Sequence, residues 1–351
     1  MIHSLKWLLL PVGLLHWFFL QARRKMYDWR WLPVKTLPKV VISVGNLQLG
    51  GTGKSVLALQ IHNFLVQRGL RPALLTRGYR RAAKSVFILD NSQKKEVGVD
   101  QIGDEPALFL GRMKDGVLGV GKNRYAVGRE LARRREVDVF VLDDGMQHRR
   151  LWRDLEICLI DVASWPRHPL LVPFSSLRDV KSGLRRADVI LLTKNRANRK
   201  KAAQFREEIL EKLNRPVWMA DFETEGFIAV PENNMLPPDI LLGKRVGAFC
   251  GIGNPDYFFA MVAEQAGELV WRRRYSDHHA FSRGEMESLL AAGERDKLDY
   301  LICTEKDAVK LREQLSGAEH IAPPILALRV RFAIENAEEF WRIIERLCSL
   351  R

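Results

Sequence analysis

The feature that most constrains this fold is a glycine-rich loop between a strand and a helix. Residues 39–45 (KVVISVG) are a β-branched run typical of a buried parallel strand, and residues 55–70 (SVLALQIHNFLVQRGL) place apolar side chains at helical spacing. The loop between them, residues 45–55 (GNLQLGGTGKS), ends in the Gly-Lys-Ser of a phosphate-binding loop. A strand, such a loop and a helix in this order predict an α/β fold that binds a nucleotide.

This loop contains the groups that hold a triphosphate. Its glycines let backbone N–H groups turn towards phosphate oxygens, Lys54 would neutralise the β- and γ-phosphates, and the Ser55 hydroxyl would hold Mg²⁺. The predicted nucleotide-binding residues are Gly50, Gly51, Thr52, Gly53, Lys54 and Ser55. The first position of the usual pattern holds Gln48 instead of glycine. Because that position mainly shapes the turn, we favour nucleotide binding over a chance glycine turn.

A second buried-type strand, within residues 137–150 (VDVFVLDDGMQHRR), ends in Asp143 and Asp144. Aspartates at the carboxyl end of a parallel strand lie where open α/β sheets bind their ligands. One of the two would contact Mg²⁺ directly or through water. We therefore predict a metal site of Ser55, Asp143 and Asp144, with an ordinary acidic turn as the alternative.

The remaining strand-like runs alternate with helical segments. They include residues 72–76, 86–89, 155–161 and 188–193. This alternation predicts an α/β fold with a mostly parallel sheet and helices on both faces. We divide the chain into an N-terminal helical segment (1–36), a nucleotide-binding core (37–222), a linker rich in Pro, Asn and Gly (223–244) and a smaller α/β domain (245–351) that contributes to the active-site cleft.

The N-terminus carries an apolar run, residues 5–20 (LKWLLLPVGLLHWFFL), interrupted by a lysine, a proline, a glycine and a histidine. A spanning helix needs about 20 apolar residues, and the basic cluster at 23–25 argues against a cleaved signal peptide. We predict a helix in or against a membrane interface, with tryptophans at headgroup depth and arginines on anionic lipid. The alternative is a helix packed on the protein's own core or on a dimer partner.

The charge balance favours anionic partners. Lys and Arg number 56 against 42 Asp and Glu, which gives a formal net charge of +14 over 351 residues. Nucleic acid, acidic lipid headgroups and phosphorylated substrates all fit such an excess. The four cysteines form no C-x-x-C pair, which argues against a zinc site or a disulfide framework and favours a reducing cytoplasm.

Four further motifs point to one family. They are QIGDEPALF (101–109), DDGMQHRR (143–150), FCGIGNPDYFF (249–259) and YSDHHAFS (275–282). With the glycine loop, in this order, they resemble tetraacyldisaccharide 4′-kinase, the lipid A kinase that phosphorylates the 4′-hydroxyl of an acylated glucosamine disaccharide 1-phosphate to give lipid IVA. The resemblance runs from about residue 5 to about residue 312. It implies ATP and Mg²⁺ as cofactors and a peripheral location on the cytoplasmic face of a bacterial inner membrane.

A sugar hydroxyl that attacks a γ-phosphate needs positioning, charge neutralisation and a proton acceptor. Asp104, in the G-D-E-P turn, can reach the acceptor hydroxyl, and His278 is the natural partner to orient it or share its proton. The resemblance implies that these two residues form a catalytic dyad, with Asp277 supporting the histidine. A helix N-cap is the alternative for Asp104, and a solvent-facing polar loop is the alternative for the D-H-H stretch.

The resemblance also implies that Gln147 and His148 line the nucleotide and acceptor sites, although turn contacts would explain each equally well. Arg124 and Arg178 are candidates to hold the transferred phosphate or the 1-phosphate, because arginine forks match phosphate oxygens. The sequence departs from the family pattern at two positions. Asp179 replaces a glutamate at a predicted substrate-binding position, and Gln48 stands where the family usually has Ser or Thr.

Two other functions fit part of the sequence. A P-loop ATPase or GTPase acting as a switch or nucleic-acid motor would share Lys54 and Asp143, but it leaves Asp104 and His278 without a role. A catalytically dead membrane module would not need this set of polar motif residues. We therefore predict a membrane-associated lipid kinase that acts as a monomer and binds no nucleic acid. Residues 304–307 (TEKD) resemble a family motif but receive no role here.

Overall fold

A computed structural model describes residues 10–79, 85–90, 92, 97–166, 171–172, 174–196, 199–315 and 321–349. The first nine residues, which include the start of the predicted apolar run, lie outside these ranges. Pro173, within the segment that precedes Asp179, also lies outside them.

Strands and helices alternate up to residue 213, as the sequence predicts. The strands are β1 (Val40–Asn46), β2 (Pro72–Thr76), β3 (Phe87–Asp90), β4 (Val117–Val120), β5 (Val139–Asp143), β6 (Leu155–Asp161) and β7 (Val189–Thr193). The helices are α1 (Leu10–Asp28), α2 (Lys54–Gln67), α3 (Val99–Ile102), α4 (Asp104–Arg112), α5 (Arg124–Arg134) and α6 (Arg199–Leu213), with a 3₁₀ helix at Lys181–Arg186.

The second part repeats the same alternation. Its strands are β8 (Val217–Val230), β9 (Met235–Leu236), β10 (Arg245–Cys250), β11 (Glu268–Arg274), β12 (Tyr300–Thr304) and β13 (Ile325–Ile334). Its helices are α7 (Pro255–Gln265), α8 (Arg283–Arg295), α9 (Glu305–Leu315) and α10 (Ala337–Ser349), with a 3₁₀ helix at Pro238–Leu241.

The strands that the structure describes form one sheet of 13 strands, in the order β11-β10-β12-β13-β8-β7-β6-β1-β5-β2-β4-β3, with β9 beside β8. Most pairs are parallel; β3 with β4, β8 with β13 and β8 with β9 are antiparallel. Every residue of β1, β5, β6 and β7 is buried. Such burial requires cover on both faces of the sheet, so the predicted fold class is confirmed.

Strand β8 covers the first part of the predicted linker. Its first residues pair in parallel with β7, and from Ala220 to Val230 it pairs antiparallel with β13. Residues 223–230 are therefore strand, and the irregular connection begins only after Val230. The Pro and Asn content that indicated a linker belongs to the turn that follows the strand. The same sheet continues across the proposed boundary, so the division into domains remains a prediction.

The N-terminal helix α1 exposes large apolar side chains, among them Leu15, Trp17, Phe18 and Phe19. Its last turn is held against the core, where the Arg149 guanidinium donates hydrogen bonds to the Arg24 carbonyl at 3.1 Å and to Asp28 at 2.7 Å. Within the described ranges, every helix is too short or too polar to cross a membrane.

Candidate active site

The phosphate loop joins β1 to α2. Gly50 and Gly53 have φ angles of +103° and +91°, a region that side chains other than glycine rarely adopt. A Cβ atom on Gly53 would also lie 2.4 Å from the Phe332 ring. Thr52 is buried, and its hydroxyl accepts a hydrogen bond from the side-chain amide nitrogen of Asn46 at 2.9 Å. The loop therefore has a defined shape, with Lys54 and Ser55 opening the helix behind it.

The two aspartates lie beside this loop because β5 pairs with β1 in a register that aligns Asp143 with Val44. The Ser55 hydroxyl donates to Asp143 Oδ1 at 3.2 Å, and the Thr76 hydroxyl donates to Asp143 Oδ2 at 3.1 Å. Lys54 Nζ lies 3.8 Å from Asp144 Oδ1. The structure thus brings the predicted metal ligands and the phosphate-loop lysine together.

Burial raises the pKa of Asp143 to about 7, and the charges of Glu105 and Asp144 add to the shift. Burial would raise the pKa of Asp144 as well, but the positive charges of Lys54 and Arg178 outweigh it and hold that pKa well below its usual range. The Lys54 pKa is lowered, chiefly by burial. The site is therefore a buried cluster of carboxylates that a cation would stabilise.

Asp143 and Ser55 fit a Mg²⁺ ion that arrives with a nucleotide. Magnesium usually takes one or two carboxylates and completes its shell with phosphate oxygens and water. Within the described residues, no group of three or more His, Cys, Asp and Glu side chains could hold a metal by itself. The donor set thus suits a metal–triphosphate complex better than a permanently bound ion.

The predicted dyad is formed across 174 residues of chain: His278 Nδ1 lies 3.1 Å from Asp104 Oδ2. Asp104 is the first residue of α4, and His278 lies in the loop after β11 with a φ of +63°. Gly103 occupies the N-cap position of α4, so the N-cap alternative for Asp104 is wrong. A left-handed backbone at a histidine is uncommon and is often found at functional sites.

Helix α9 places two lysines beside this pair. Lys306 Nζ lies 3.1 Å from His278 Nε2, and Lys310 Nζ lies 3.3 Å from Asp104 Oδ2. Asp277 Oδ1 lies 3.7 Å from Lys306 Nζ. The predicted support of His278 by Asp277 therefore runs through Lys306.

The phosphate loop and one member of the dyad, His278, line one cleft of about 370 Å³. Its lining includes Gly50–Ser55, Asp143, Asp144, Asp277, His278 and Lys306. Groups that would hold phosphates and groups that could accept a proton therefore face the same space. This arrangement suits phosphoryl transfer to a hydroxyl.

A second, strongly basic cavity of about 520 Å³ adjoins the first. It is lined by Arg23, Arg77, Lys122, Asn123, Arg124, Asp144, Gln147, His148, Arg149, Arg150 and Arg178. Asp144 lines both cavities, which places it between them. So many fixed cations around one concave surface favour a ligand with several negative charges.

Two arginines of this cavity are held differently. Arg178 donates to Asp144 Oδ2 at 2.9 Å. Arg124 is almost fully buried, its Nε has no hydrogen-bond partner among the described residues, and burial lowers its pKa. A buried guanidinium with a free donor is costly unless a ligand satisfies it. Arg124 donates to the Lys122 carbonyl at 3.2 Å, and Arg178 likewise has an Nε without a partner among the described residues, so each guanidinium keeps one donor that a ligand could use.

These features agree with comparisons to known proteins. The family model for tetraacyldisaccharide-1-P 4′-kinase matches residues 5–349. The chain belongs to that family. A tetraacyldisaccharide 4′-kinase of Geobacter metallireducens is 36% identical over 81% of this chain and 82% of its own length. That of Desulfotalea psychrophila is 30% identical over 89% and 88%.

A solved structure of the family has the same fold. The crystal structure of LpxK from Aquifex aeolicus in complex with ATP superposes with a TM-score of 0.76 at 28% identity and covers 99% of both chains. The family match extends beyond residue 312 to the final helix, α10, so it is longer than the sequence motifs indicate.

Three residues that the family pattern implies for the ligand sites are absent from the lining of the cleft beside the phosphate loop. Gln147 and His148 line the basic cavity, not the cleft beside the phosphate loop. Asp179 is absent from both cavity linings; its carboxylate accepts a hydrogen bond from Arg186 at 2.8 Å. The shorter aspartate is paired within its own segment, and its contact with substrate stays a prediction.

Sequence reasoning missed Lys306 and Lys310. The T-E-K-D motif was the available signal, but its lysine reaches His278 only because α9 begins at Glu305, directly after β12. The motif's acids have structural partners: Glu305 pairs with Arg112 at 2.9 Å, and Asp307 accepts a hydrogen bond from the Gly251 amide at 3.1 Å.

The unusual Gln48 has a clear structural contact. It is fully buried; its Oε1 accepts from the Asp161 amide at 2.9 Å, and its Nε2 donates to the Asp161 carbonyl at 3.1 Å and to Ser164 at 3.0 Å. The Asp161 carboxylate in turn pairs with Lys194, which lines the cleft, at 2.7 Å. Gln48 therefore ties the start of the phosphate loop to the end of β6.

Proposed function

We propose that this protein transfers the γ-phosphate of ATP to the 4′-hydroxyl of a tetraacylated glucosamine disaccharide 1-phosphate, which gives lipid IVA. The observation that carries the proposal is that His278, which lies 3.1 Å from Asp104, lines the same cleft as the phosphate loop. A nucleotide switch needs the loop and a group that orients water, but it has no use for a second, basic cavity. A phosphorylated alcohol acceptor needs both cavities.

The phosphate loop would bind the nucleotide. Backbone N–H groups of Gly50–Gly53 and the N-terminus of α2 would bind the β- and γ-phosphates, with Lys54 beside them. Ser55 and Asp143 would hold Mg²⁺, which neutralises phosphate charge when bound. Asp144, held by Lys54 and Arg178, keeps those two cations in place at the junction of the cavities.

The dyad and the basic cavity would bind and activate the acceptor. Asp104 would take the proton of the 4′-hydroxyl as its oxygen attacks the γ-phosphorus. Arg124, buried with a free donor, would bind a phosphate of the acceptor together with Lys122 and Arg149. Because Asp144 lies between the two cavities, a disaccharide that lies across Asp144 could place one end in the cleft and the other end in the basic cavity.

The exposed apolar face of α1 supports a peripheral site on the cytoplasmic side of the bacterial inner membrane. Trp17, Phe18 and Phe19 lie exposed on the helix, and Trp29 and Trp31 follow it. Aromatic side chains at headgroup depth and nearby bases favour an anionic surface. The protein would act there as a monomer, with the acyl chains of its substrate still in the lipid layer.

The test is a transfer assay with γ-³²P-ATP, Mg²⁺ and the lipid disaccharide monophosphate, followed by thin-layer separation. We expect labelled lipid from the wild-type enzyme and a loss of about 10²–10⁴-fold in Asp104→Ala, the usual contribution of a general base. Asp100→Ala, an exposed aspartate in the preceding helix, is the matched control and should stay near wild type. ATP hydrolysis without labelled lipid would favour a nucleotide switch instead.

A further inference from the structure

Both ring nitrogens of His278 have a charged neighbour. Nδ1 lies 3.1 Å from Asp104 Oδ2, and Nε2 lies 3.1 Å from Lys306 Nζ. An ammonium group can donate hydrogen bonds but cannot accept them. Nε2 must therefore accept from Lys306, which means that it carries no proton. In a neutral imidazole the proton is then on Nδ1, where it is donated to Asp104.

We infer that Lys306 is a positioning residue that fixes His278 as the neutral Nδ1–H tautomer and so leaves Asp104 ionised as the proton acceptor. This inference rests on the function proposed above. It assigns to the T-E-K-D lysine a part in the proton chemistry, distinct from the phosphate contacts of Lys54. Lys306 acts through the imidazole and need not touch the acceptor hydroxyl.

The position of Lys306 is itself determined. It lies in the first turn of α9, and its ammonium is held 3.7 Å from Asp277 Oδ1. Only about a fifth of its side chain is exposed. Lys310 lies one turn further along α9, on the same face, with its Nζ 3.3 Å from Asp104 Oδ2 and 2.8 Å from the His279 carbonyl. One helix therefore brings a cation to each member of the dyad.

The charged groups around the dyad favour this proton arrangement. From α9 come Lys306, Lys310 and the buried Asp307, which lies 4.0 Å from Lys310. From its own loop comes Asp277, and the Tyr79 ring lies 5.7 Å from the imidazole. The ammonium at Nε2 can only donate a hydrogen bond and the ionised carboxylate at Nδ1 can only accept one, which assigns the ring proton to Nδ1.

The proton transfer follows from this arrangement. The O–H bond of the acceptor breaks, and its proton forms a new O–H bond on Asp104. The acceptor oxygen forms a bond to the γ-phosphorus as the bond between that phosphorus and ADP breaks. The electron pair of the broken bond leaves with ADP. His278 keeps its Nδ1 proton throughout and orients the carboxylate. The ring is therefore a fixed donor and does not relay the proton.

The tautomer can be measured directly in the full-length protein. In a two-bond ¹H–¹⁵N spectrum the two imidazole tautomers give different nitrogen shifts, and His278→Gln identifies the signal. We expect the neutral ring of His278 to carry its proton on Nδ1, without substrate. A proton on Nε2 in the wild type would overturn the inference. This readout needs no activity, so it stands apart from any failure of the lipid assay.

Variants test the consequence for catalysis. Lys306→Met should lower kcat about 10–100-fold, part of the general-base contribution, and the nitrogen shifts of His278 should then show a population with the proton on Nε2. Lys306→Arg keeps a donor and should restore most of the activity. Lys212→Met, on an exposed face of α6, is the matched control. A rise in KM for ATP with the His278 tautomer unchanged would show that Lys306 only binds phosphate, and would overturn the inference.

Discussion

His62 makes a specific prediction about stability and pH. The residue lies on α2, is fully buried and has an Nε2 atom with no hydrogen-bond partner among the described residues. Burial lowers its pKa from 6.5 to about 4. Between these two pKa values the histidine binds a proton in the unfolded state but not in the folded state. The free energy of unfolding therefore decreases as pH falls from about 6.5 towards 4.

The magnitude follows from these two pKa values. One unit of difference is worth about 1.4 kcal/mol, and at pH 5 the unfolded histidine is almost fully protonated while the folded one is almost fully neutral. Linkage then gives a loss of about 2 kcal/mol between pH 7 and pH 5 from His62 alone. His62→Leu removes this contribution, since leucine does not titrate.

The assay is urea unfolding of wild type and His62→Leu at both pH values. Other titrating groups contribute equally to the two proteins, so they cancel in the difference. We expect the wild type to lose about 2 kcal/mol more than the variant between pH 7 and pH 5. Equal losses in both proteins would refute the reasoning, because they would mean that water reaches the ring or that the helix opens around it.

Three further predictions concern the site and its surroundings. Arg124→Ala should raise KM for the phosphorylated lipid acceptor about 10-fold or more, as expected for a lost charged hydrogen bond, and should leave KM for ATP nearly unchanged. In the exposed control Arg129→Ala, both KM values should stay near wild type. Gln48→Ala should lower the free energy of unfolding by about 3 kcal/mol, because three buried hydrogen bonds are lost; an unchanged urea midpoint would contradict this. Phe18→Ser should weaken flotation with anionic vesicles, whereas Trp152→Ser, exposed elsewhere on the surface, should not.

Local features of the fold could be predicted from the sequence because their signals lie within short stretches. The strand, loop and helix around Lys54 and the strand ending at Asp143 appear where the patterns indicate. The strand at 223–230, inside the predicted linker, could not be predicted from the sequence, because β-pairing with a distant strand extends β8 and no local pattern reveals that partner. Likewise, the antiparallel direction of β3 depends on how the chain returns to β4.

By itself, the sequence determined the chemistry available to this protein: glycines that turn a loop, aspartates at strand ends, and a carboxylate and a histidine in separate motifs. Only the tertiary structure decided which of these groups meet. Asp104 and His278 are 174 residues apart, and Lys306 joins them because α9 begins directly after β12. The physical reason is range: backbone preferences act over a few residues, whereas a hydrogen bond between distant segments depends on how the whole sheet is assembled.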